Sequence, residues 1–285
     1  MSRLHALIAC AGIAVVVAGI AVAANSSSFV DRTKDTKYTP DIGRLDVSSD
    51  DAGALTFRIA FAGGITPGLP GEQLGVAIDL DQDPDTGTVY YGTDVAFELD
   101  DTTLRFFRAD QNEFAAAPTP ASLQGSVAGD TATFTVKAAD LGLAPTDGVN
   151  VVAFSDTRLD DDLAPDIRTY NYQQVAGTQP KSLGLDTRAP FDRAFRARAV
   201  HGKVAELDYA ASDGRAVTSD TIRIYRRQRL LRTIRFSLGD TNPFYVYYAK
   251  WRVPRTVRGR LRFCVRSADA AHNVSNLSCA PLRIR

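Results

Sequence analysis

Apolar and polar residues alternate along short stretches of this chain, which is the pattern of β-strands that bury one face. The clearest stretch runs from Gly53 to Ala62, where Leu55, Phe57, Ile59 and Phe61 would share one face. Similar patterns predict strands near 42–47 and at 74–80, 93–99, 104–109, 131–137 and 149–154, with a short helical turn at 138–142. Seven or eight strands, turns rich in Gly and Pro and no long helical periodicity indicate a β-sandwich.

The C-terminal part of the chain shows the same rhythm. Candidate strands lie at 196–200, 203–209, 218–225, 230–236, 245–253, 260–267 and 278–284. Seven strands in the 97 residues that follow Arg188 suit an immunoglobulin-like sandwich. Pro190 disfavours regular structure in the residue before it, so a linker is expected at 187–192. The pattern therefore predicts an all-β fold with two β-sandwich domains in tandem, at 41–186 and 193–285.

The first 24 residues have the composition of an export signal. Arg3 supplies a positive charge, residues 4–24 contain no Asp, Glu, Lys or Arg, and Ala21-Val22-Ala23-Ala24 offers a small-residue cleavage site. We expect a signal peptide at 1–24 and a polar linker at 25–40. The uncharged run of 21 residues is also long enough to span a bilayer, so a helical signal anchor at 4–24 is the alternative. In both cases the folded part is expected to be extracellular or in the cell envelope.

The two halves carry opposite charges. Residues 25–188 contain 26 acidic and 12 basic residues, a net charge of −14, whereas residues 189–285 contain 7 acidic and 20 basic residues, a net charge of +13. Eighteen of these 20 are Arg, whose planar guanidinium suits carboxylates and phosphates. No nucleic-acid motif accompanies them, so no nucleic-acid partner is expected. The alternatives are a solvated arginine-rich surface, an anionic cell-wall polymer as partner, and docking against the acidic half.

One short loop concentrates the acidic residues. Asp79, Asp81, Asp83 and Asp85 occupy alternate positions in Asp79-Leu-Asp-Gln-Asp-Pro-Asp-Thr-Gly87, and Asp94 follows at the start of the next strand. Like charges this close repel each other unless a cation lies between them. Calcium takes about six to eight oxygen ligands in flexible geometry, so a structural calcium site is predicted here. A solvated acidic turn is the alternative, and the spacing is not that of an EF-hand.

The residues around this loop resemble a known family of secreted modules. LGVAIDLDQDPDTGTVYYGTDVAFELD, followed by AADLGL and VVAFSDTRLDDDLAPD, is similar to family-9 carbohydrate-binding and DOMON-type sandwiches. The residues that match their D-x-D-x-[DN]-P-x-T-G loop and G-x-D strand are Asp79, Asp81, Asp83, Pro84, Thr86, Gly87, Gly92 and Asp94. The resemblance implies an extracellular binding module with a structural ion. It brings no aromatic sugar-binding pair with it. Tyr90 and Tyr91 beside the loop, and Tyr170 and Tyr172 later, are the candidates, and tyrosines half-buried at a sheet edge are the alternative.

The last hairpin predicts a disulfide. Ser267-Ala-Asp-Ala-Ala-His-Asn-Val-Ser275 resembles a turn of bacterial immunoglobulin-like repeats, with His272 where Gly is usual. If the turn is symmetric about Ala271 and His272, Cys264 and Cys279 lie directly opposite each other. Cys264 would then lie on the arginine-rich outer face, and the bridge would close a surface hairpin rather than link two sheets. The remaining cysteine, Cys10, belongs to the leading apolar segment.

No catalytic signature matches the acidic loop in strength. Outside the leader the chain has two histidines, His201 and His272, and neither accompanies a nucleophile motif. We therefore expect a non-enzymatic binding or attachment protein that recognises a glycan or a cell-envelope polymer. Two alternatives stay open. One is a polysaccharide-active hydrolase that uses carboxylates of the acidic half, and the other is an adhesin or scaffold that associates through its oppositely charged halves.

Overall fold

The structure is a computed structural model that describes residues 25–63, 71–100, 102–157, 161–243 and 245–285. The predicted signal peptide or anchor at 1–24 lies outside these residues. Within the described ranges no helix is long and apolar enough to cross a membrane. The helical structure that these ranges contain is one 3₁₀ turn, Ala138–Leu141, where the sequence predicts a helical turn.

Twelve strands form the described part of the acidic half. They are β1 (Asn25–Val30), β2 (Ile42–Ser49), β3 (Ala54–Phe61), β4 (Gln73–Asp79), β5 (Val95–Asp100), β6 (Thr103–Asp110), β7 (Glu113–Ala116), β8 (Gln124–Ala128), β9 (Thr131–Lys137), β10 (Gly148–Asp156), β11 (Asp161–Ala164) and β12 (Tyr170–Gln173). One antiparallel sheet has the order β1-β2-β3-β9-β8. The other has the order β11-β10-β4-β5-β6-β7, and β12 also pairs with β10.

The two sheets bury a shared apolar core, which confirms the predicted sandwich. The alternating residues of β3 are buried as predicted, and they face β4, β5 and β10 of the other sheet. The Phe97 ring lies between the sheets, 5.6 Å from the Phe57 ring centroid and 5.3 Å from that of Phe134. Core aromatic contacts of this kind contribute about 0.5–1.5 kcal/mol beyond the area that they bury.

Residues 25–30, predicted as part of a linker, instead form β1. This strand pairs along its whole length with β2. Its serine-rich sequence gives little apolar alternation. Main-chain pairing with β2 and two contacts from β12 hold the strand in place. The Phe29 ring stacks on Tyr170 at 4.6 Å, and the Tyr172 hydroxyl donates to Asn25 O at 2.9 Å.

In the basic half, the described residues form nine further strands. They are β13 (Phe191–Ala194), β14 (Ala197–Ala199), β15 (Val204–Ser212), β16 (Val217–Arg226), β17 (Arg229–Arg235), β18 (Gly239–Asp240), β19 (Tyr247–Arg252), β20 (Gly259–Asp269) and β21 (Ser278–Ile284). Sheet β13-β15-β19 packs on sheet β14-β21-β20-β16-β17. In the immunoglobulin lettering, β13, β15 and β19 correspond to strands A, B and E of one sheet. β16, β20 and β21 correspond to strands C, F and G of the other. The predicted linker at 187–192 is shorter than expected, because β13 begins at Phe191.

The predicted disulfide joins Cys264 and Cys279, which are directly paired in the β20–β21 hairpin. His272 has a φ of 70°, the left-handed conformation that glycine adopts more easily. Cys279 is exposed, so the bridge reaches the outer face of the hairpin as predicted. Cys264 itself is fully buried, whereas the sequence predicted that it would lie on the outer face beside exposed arginines.

Candidate functional site

The acidic loop connects β4 to β5 and spans residues 80–94. The loop starts after Asp79 because the apolar strand pattern ends there and a run of Asp, Pro and Gly follows. Its backbone closes on itself, since Thr86 N–H donates to Asp83 O at 3.0 Å and Thr88 N–H donates to Thr93 O at 2.9 Å. The loop is therefore a folded turn that carries its side chains back toward the end of β4.

Three of the five predicted metal ligands converge. Asp79, Asp81 and Asp94 each place a carboxylate oxygen within 4.8 Å of the others. Asp79 is 0% exposed, and its Oδ2 accepts a hydrogen bond from Asn150 Nδ2 at 2.8 Å. Asp94 Oδ2 accepts from Leu80 N–H at 2.8 Å, which ties the start of β5 to the end of β4.

The other two predicted ligands, Asp83 and Asp85, are not members of this group. Asp83 Oδ1 accepts from Asp85 N–H at 3.1 Å and so stabilises the turn itself. Asp85 binds the Arg215 guanidinium through both oxygens, with Oδ2 2.8 Å from Nη2 and Oδ1 3.3 Å from Nε. Arg215 belongs to the basic half, so this partner is distant in sequence and the Asp-x-Asp pattern does not reveal it.

The electrostatics of the three converging carboxylates suit a hard cation. Burial, with a further contribution from Asp81, raises the pKa of Asp79 to about 7. Burial also raises the pKa of Asp94. Within the described ranges no salt bridge involves Asp79, Asp81 or Asp94. Of the three, Asp79 is buried, Asp94 is half-buried and Asp81 is exposed. Burying the Asp79 carboxylate beside two other carboxylates is costly, and a calcium ion bound by these oxygens would reduce that cost.

The two candidate ligand-binding tyrosines lie in different places. Tyr91 is 1% exposed and packs with Val152, Leu163 and Ala216, so it belongs to the contact between the two halves. Tyr90 is half-buried, and its ring stacks on Phe114 with the centroids 6.1 Å apart. Tyr90 alone is therefore placed to meet a ligand.

Tyr90 lines a cavity of about 560 Å³ on the outer face of the sheet formed by β4, β5 and β10. Aromatic and acidic side chains share its wall, among them Tyr90, Phe107, Phe114, Phe154, Glu98 and Asp156. Burial raises the pKa of both Glu98 and Asp156. Gly75 leaves room for the Phe154 ring that lines the cavity, since a Cβ there would lie 2.3 Å from Phe154 Cζ. Sequence reasoning missed this cavity, although Gly75, Ala77 and Ala96 on one face of adjacent strands were the available signal.

The acidic loop also contacts the segment before the basic half. The Arg188 guanidinium donates to the carbonyl oxygens of Pro84 (3.3 Å), Thr86 and Gly87 (3.0 Å), and to Asn112 Oδ1 (3.0 Å). Lys181 Nζ donates to Asp81 O at 2.9 Å. The carbonyls of the loop are thus held by cations, while the carboxylates of Asp79, Asp81 and Asp94 converge at its two ends.

The basic half reaches the same loop directly. Ser212 Oγ donates to Val89 O at 2.7 Å, and Gly214 lies so close to Pro84 that an added Cβ would be 1.9 Å from Pro84 O. Together with the Asp85–Arg215 pair, these contacts show the oppositely charged halves docked within one chain. Association between separate molecules stays a prediction.

The arginine-rich surface contains one concentrated groove. Arg196, Arg198, Arg260, Arg262 and Arg283 line a groove of about 680 Å³ along β14, β20 and β21. Within the described ranges none of the five forms a salt bridge. Arg262 lies over the Tyr225 ring, 5.3 Å from its centroid.

Comparison with known proteins identifies no family for this chain. No family model and no curated protein matches it. Among solved structures, the fibronectin(III)-like modules of Clostridium thermocellum CbhA are 10% identical, with 82% of this chain and 86% of that chain covered and a TM-score of 0.25. A chimeric titin Z1Z2-Z1Z2 tandem is 13% identical over 82% and 92% of the two chains, with a TM-score of 0.24. The Ig1-2 module of a Drosophila receptor protein tyrosine phosphatase is 11% identical over 82% and 91%, with a TM-score of 0.21. Scores this low establish no relationship, and the resemblance to family-9 carbohydrate-binding and DOMON-type modules stays a prediction.

Proposed function

We propose that this chain is an exported, non-enzymatic protein that binds a glycan in the cavity over β4, β5 and β10. The observation that carries this proposal is the combination of half-buried aromatic rings with carboxylate acceptors in one concave site. Sugars present apolar C–H faces that pack on aromatic rings and hydroxyl groups that donate to carboxylates. Binding sites of small ligands combine an apolar wall with a few polar groups in this way.

Calcium has a supporting role in this proposal. An ion bound by Asp79, Asp81 and Asp94 would hold the two ends of the acidic loop, and Tyr90 lies on that loop. The ion thereby fixes the position of the ring that meets the glycan. We expect calcium to raise the melting temperature of the protein and EDTA to lower it. An unchanged melting temperature would remove calcium from the proposal but leave the cavity unaffected.

A glycan array tests the binding site directly. The mature chain, residues 25–285, is screened with calcium and with EDTA, and positive sugars are then titrated by calorimetry. Replacement of the stacked pair in Tyr90→Ala or Phe114→Ala should weaken binding at least tenfold. Tyr38→Ala, an exposed tyrosine outside the cavity, is the control and should bind normally. If no sugar on the array binds wild-type protein, the glycan proposal is wrong.

The same cavity keeps the hydrolase alternative testable. Glu98 and Asp156 both line it, and two carboxyl groups across a sugar are the requirement for glycoside hydrolysis. Incubation of the protein with each bound polysaccharide, followed by a reducing-end assay, distinguishes the two functions. A binding protein releases no reducing ends. Release that Glu98→Gln abolishes would replace the binding proposal with a hydrolase.

The arginine groove favours a second binding function. Five guanidinium groups that form no ion pair with a described carboxylate suit an anionic cell-envelope polymer, because each can bind phosphate or carboxylate through two N–H groups. Binding to a polyphosphate or uronic-acid polymer should weaken steeply with salt. The variant Arg198→Ala/Arg260→Ala/Arg283→Ala should lose it, while Arg226→Ala/Arg227→Ala/Arg229→Ala, outside the groove, should retain it. Equal loss in both variants would assign the binding to net charge alone.

A further inference from the structure

A second group of carboxylates lies where the chain enters the basic half. Asp186 belongs to the segment before β13, Asp213 to the turn between β15 and β16, and Asp269 ends β20. Each places a carboxylate oxygen within 4.8 Å of the others. Asp213 and Asp269 are each 3% exposed. Three sequence-distant segments therefore bring acidic side chains together in the protein interior.

An unpartnered oxygen at this place is a separate observation. Asp213 Oδ1 is buried and has no hydrogen-bond partner among the residues that the structure describes, while Asp213 Oδ2 accepts from Arg215 N–H at 3.1 Å. Leaving a buried charged acceptor unsatisfied costs at least about 1–3 kcal/mol. In contrast to Asp213, both oxygens of Asp269 have hydrogen-bond partners: they accept from Asn273 N–H and from Asn273 Nδ2, both at 2.8 Å. The orphan oxygen belongs to a carboxylate that is already part of the cluster.

The local charges do not balance. Asp85 lies beside the three carboxylates, because Arg215 contacts both Asp85 (2.8 Å) and Asp186 (3.5 Å). Arg188 directs its guanidinium to backbone carbonyls of the acidic loop and to Asn112, not to a carboxylate. Two arginines lie near the four carboxylates: Arg215 in direct contact, and Arg188 close enough to Asp85 and Asp213 for its charge to act on them. The difference between four negative and two positive charges is the charge of one divalent cation.

We propose that Asp186, Asp213 and Asp269 bind a divalent cation, with calcium as the ion that prefers such an all-oxygen ligand set. This site is distinct from the one formed by Asp79, Asp81 and Asp94, and it does not depend on glycan binding. The cation ties the segment before β13 to two loops of the second sandwich. It therefore fixes how the chain leaves the first sandwich and enters the second.

Equilibrium dialysis of residues 25–285 with calcium as the only added cation counts the bound ions. Asp213→Asn keeps the shape of the side chain and an acceptor for Arg215 N–H, but it removes the charge. We expect it to bind one ion fewer than wild type. Asp81→Asn, which alters only the first site, should also lose one ion, and the double variant should lose two. Glu206→Gln, an exposed acid of β15, is the control and should match wild type.

Two results would overturn the proposal. One is an Asp213→Asn protein that binds as many ions as wild type. The other is a wild-type protein that binds a single ion and loses it in Asp81→Asn. Circular dichroism verifies the fold of each variant. If Asp213→Asn does not fold, the partly exposed Asp186→Asn replaces it, with the same two outcomes. If only the site formed by Asp79, Asp81 and Asp94 proves not to bind calcium, the calcium role proposed above is wrong, but the second site is unaffected.

Discussion

Gly92 has a φ of 74°, and a Cβ on it would lie 2.3 Å from Pro84 Cα. The acidic loop can therefore close only if this position has no side chain. Gly87 is under the same constraint, since a Cβ there would lie 2.3 Å from Gly92 O. The two glycines let the two arms of the loop touch, and that contact brings Asp94 close to Asp79 and Asp81.

We predict that Gly92→Ala opens the loop and weakens calcium binding. The left-handed backbone conformation alone costs an alanine about 1–2 kcal/mol. The clash with Pro84 adds to this cost and displaces Asp94, so calcium affinity should fall about tenfold, or ~1.4 kcal/mol. Gly129→Ala is the matched control, because Gly129 has a φ of 61° but open space around it. Calorimetric calcium titration of both variants should show the loss in Gly92→Ala only.

Asp162 illustrates a different cost at the residue scale. It is 4% exposed, and its Oδ2 accepts from Ile42 N–H at 2.5 Å. Burial, and then the nearby charges of Asp35 and Asp31, raise its pKa to about 8. The pKa is higher in the folded than in the unfolded chain, so the proton stabilises the fold at low pH. That stabilisation is lost as the pH rises through about 8.

We therefore predict that Asp162→Asn is more stable than wild type at pH 8 and similar at pH 4. The amide oxygen still accepts from Ile42 N–H, and no charge has to be buried. Melting temperatures from pH 4 to 8.5, measured in EDTA, should fall with pH in wild type and less steeply in the variant. The exposed Asp51→Asn should follow wild type. If the melting temperature of Asp162→Asn falls with pH as steeply as that of wild type and Asp51→Asn, Asp162 does not titrate as expected.

The sequence predicted only part of the candidate site at this scale. Asp79, Asp81 and Asp94 converge because the loop between two paired strands brings the end of β4 next to the start of β5. This convergence could be predicted from the sequence. Asp85 does not join them because Arg215, 130 residues away, binds it. Tyr90 and Tyr91 are neighbours in sequence but separate in space, since Tyr91 has a φ of 57° and turns into the contact between the halves.

At the scale of elements, strands with strong apolar alternation were predictable and short ones were not. β9 and β21 match their predicted bounds, because each presents alternating apolar residues to a core. β1, β8 and β13 were missed because main-chain pairing with a neighbour, rather than an apolar face, defines them. The β20–β21 register was predictable since the turn sequence determines the pairing and the paired cysteines then follow.

That hairpin leads to a prediction about the basic half. The Cys264–Cys279 bridge closes a loop with a sequence separation of 15, and on the chain-entropy model such a loop contributes about 3 kcal/mol. Cys264→Ala/Cys279→Ala should lower the stability of the second sandwich by up to that amount. Urea unfolding monitored by Trp251, which is buried in that sandwich, measures the loss. Dithiothreitol should produce a similar loss in wild type and none in the variant; a variant as stable as oxidised wild type would contradict the prediction.

At the scale of the whole molecule, the acidic loop links the two sandwiches. Arg188 holds its carbonyls, Arg215 holds Asp85, and Asn242 Nδ2 donates to Asp166 O at 2.6 Å elsewhere in the same contact. Composition gave docking between the oppositely charged halves only as one of three alternatives for the basic surface. It did not predict that neutral groups, such as Tyr91 and Ala216, would also pack between them, because that requires a close fit between surfaces.

Gly214 tests whether this fit makes the two sandwiches unfold together. A Cβ at Gly214 would lie 1.9 Å from Pro84 O, so Gly214→Ala must separate the turn from the acidic loop without changing any charge. Overpacking of this kind costs about 1–3 kcal/mol. We expect wild type to show one calorimetric transition and Gly214→Ala to show two, with a larger radius of gyration in solution scattering.

Gly184→Ala is the control for this experiment, because nothing lies within 4 Å of a Cβ at that position. It should retain the single transition and the compact scattering profile of wild type. If Gly214→Ala also unfolds in one step at the wild-type temperature, the contact does not couple the halves. If wild type already shows two transitions, each sandwich is stable alone, and the role of the contact is then orientation rather than stability. Scattering of wild type and of Gly214→Ala separates these cases, because loss of an orienting contact changes the radius of gyration but not the number of transitions.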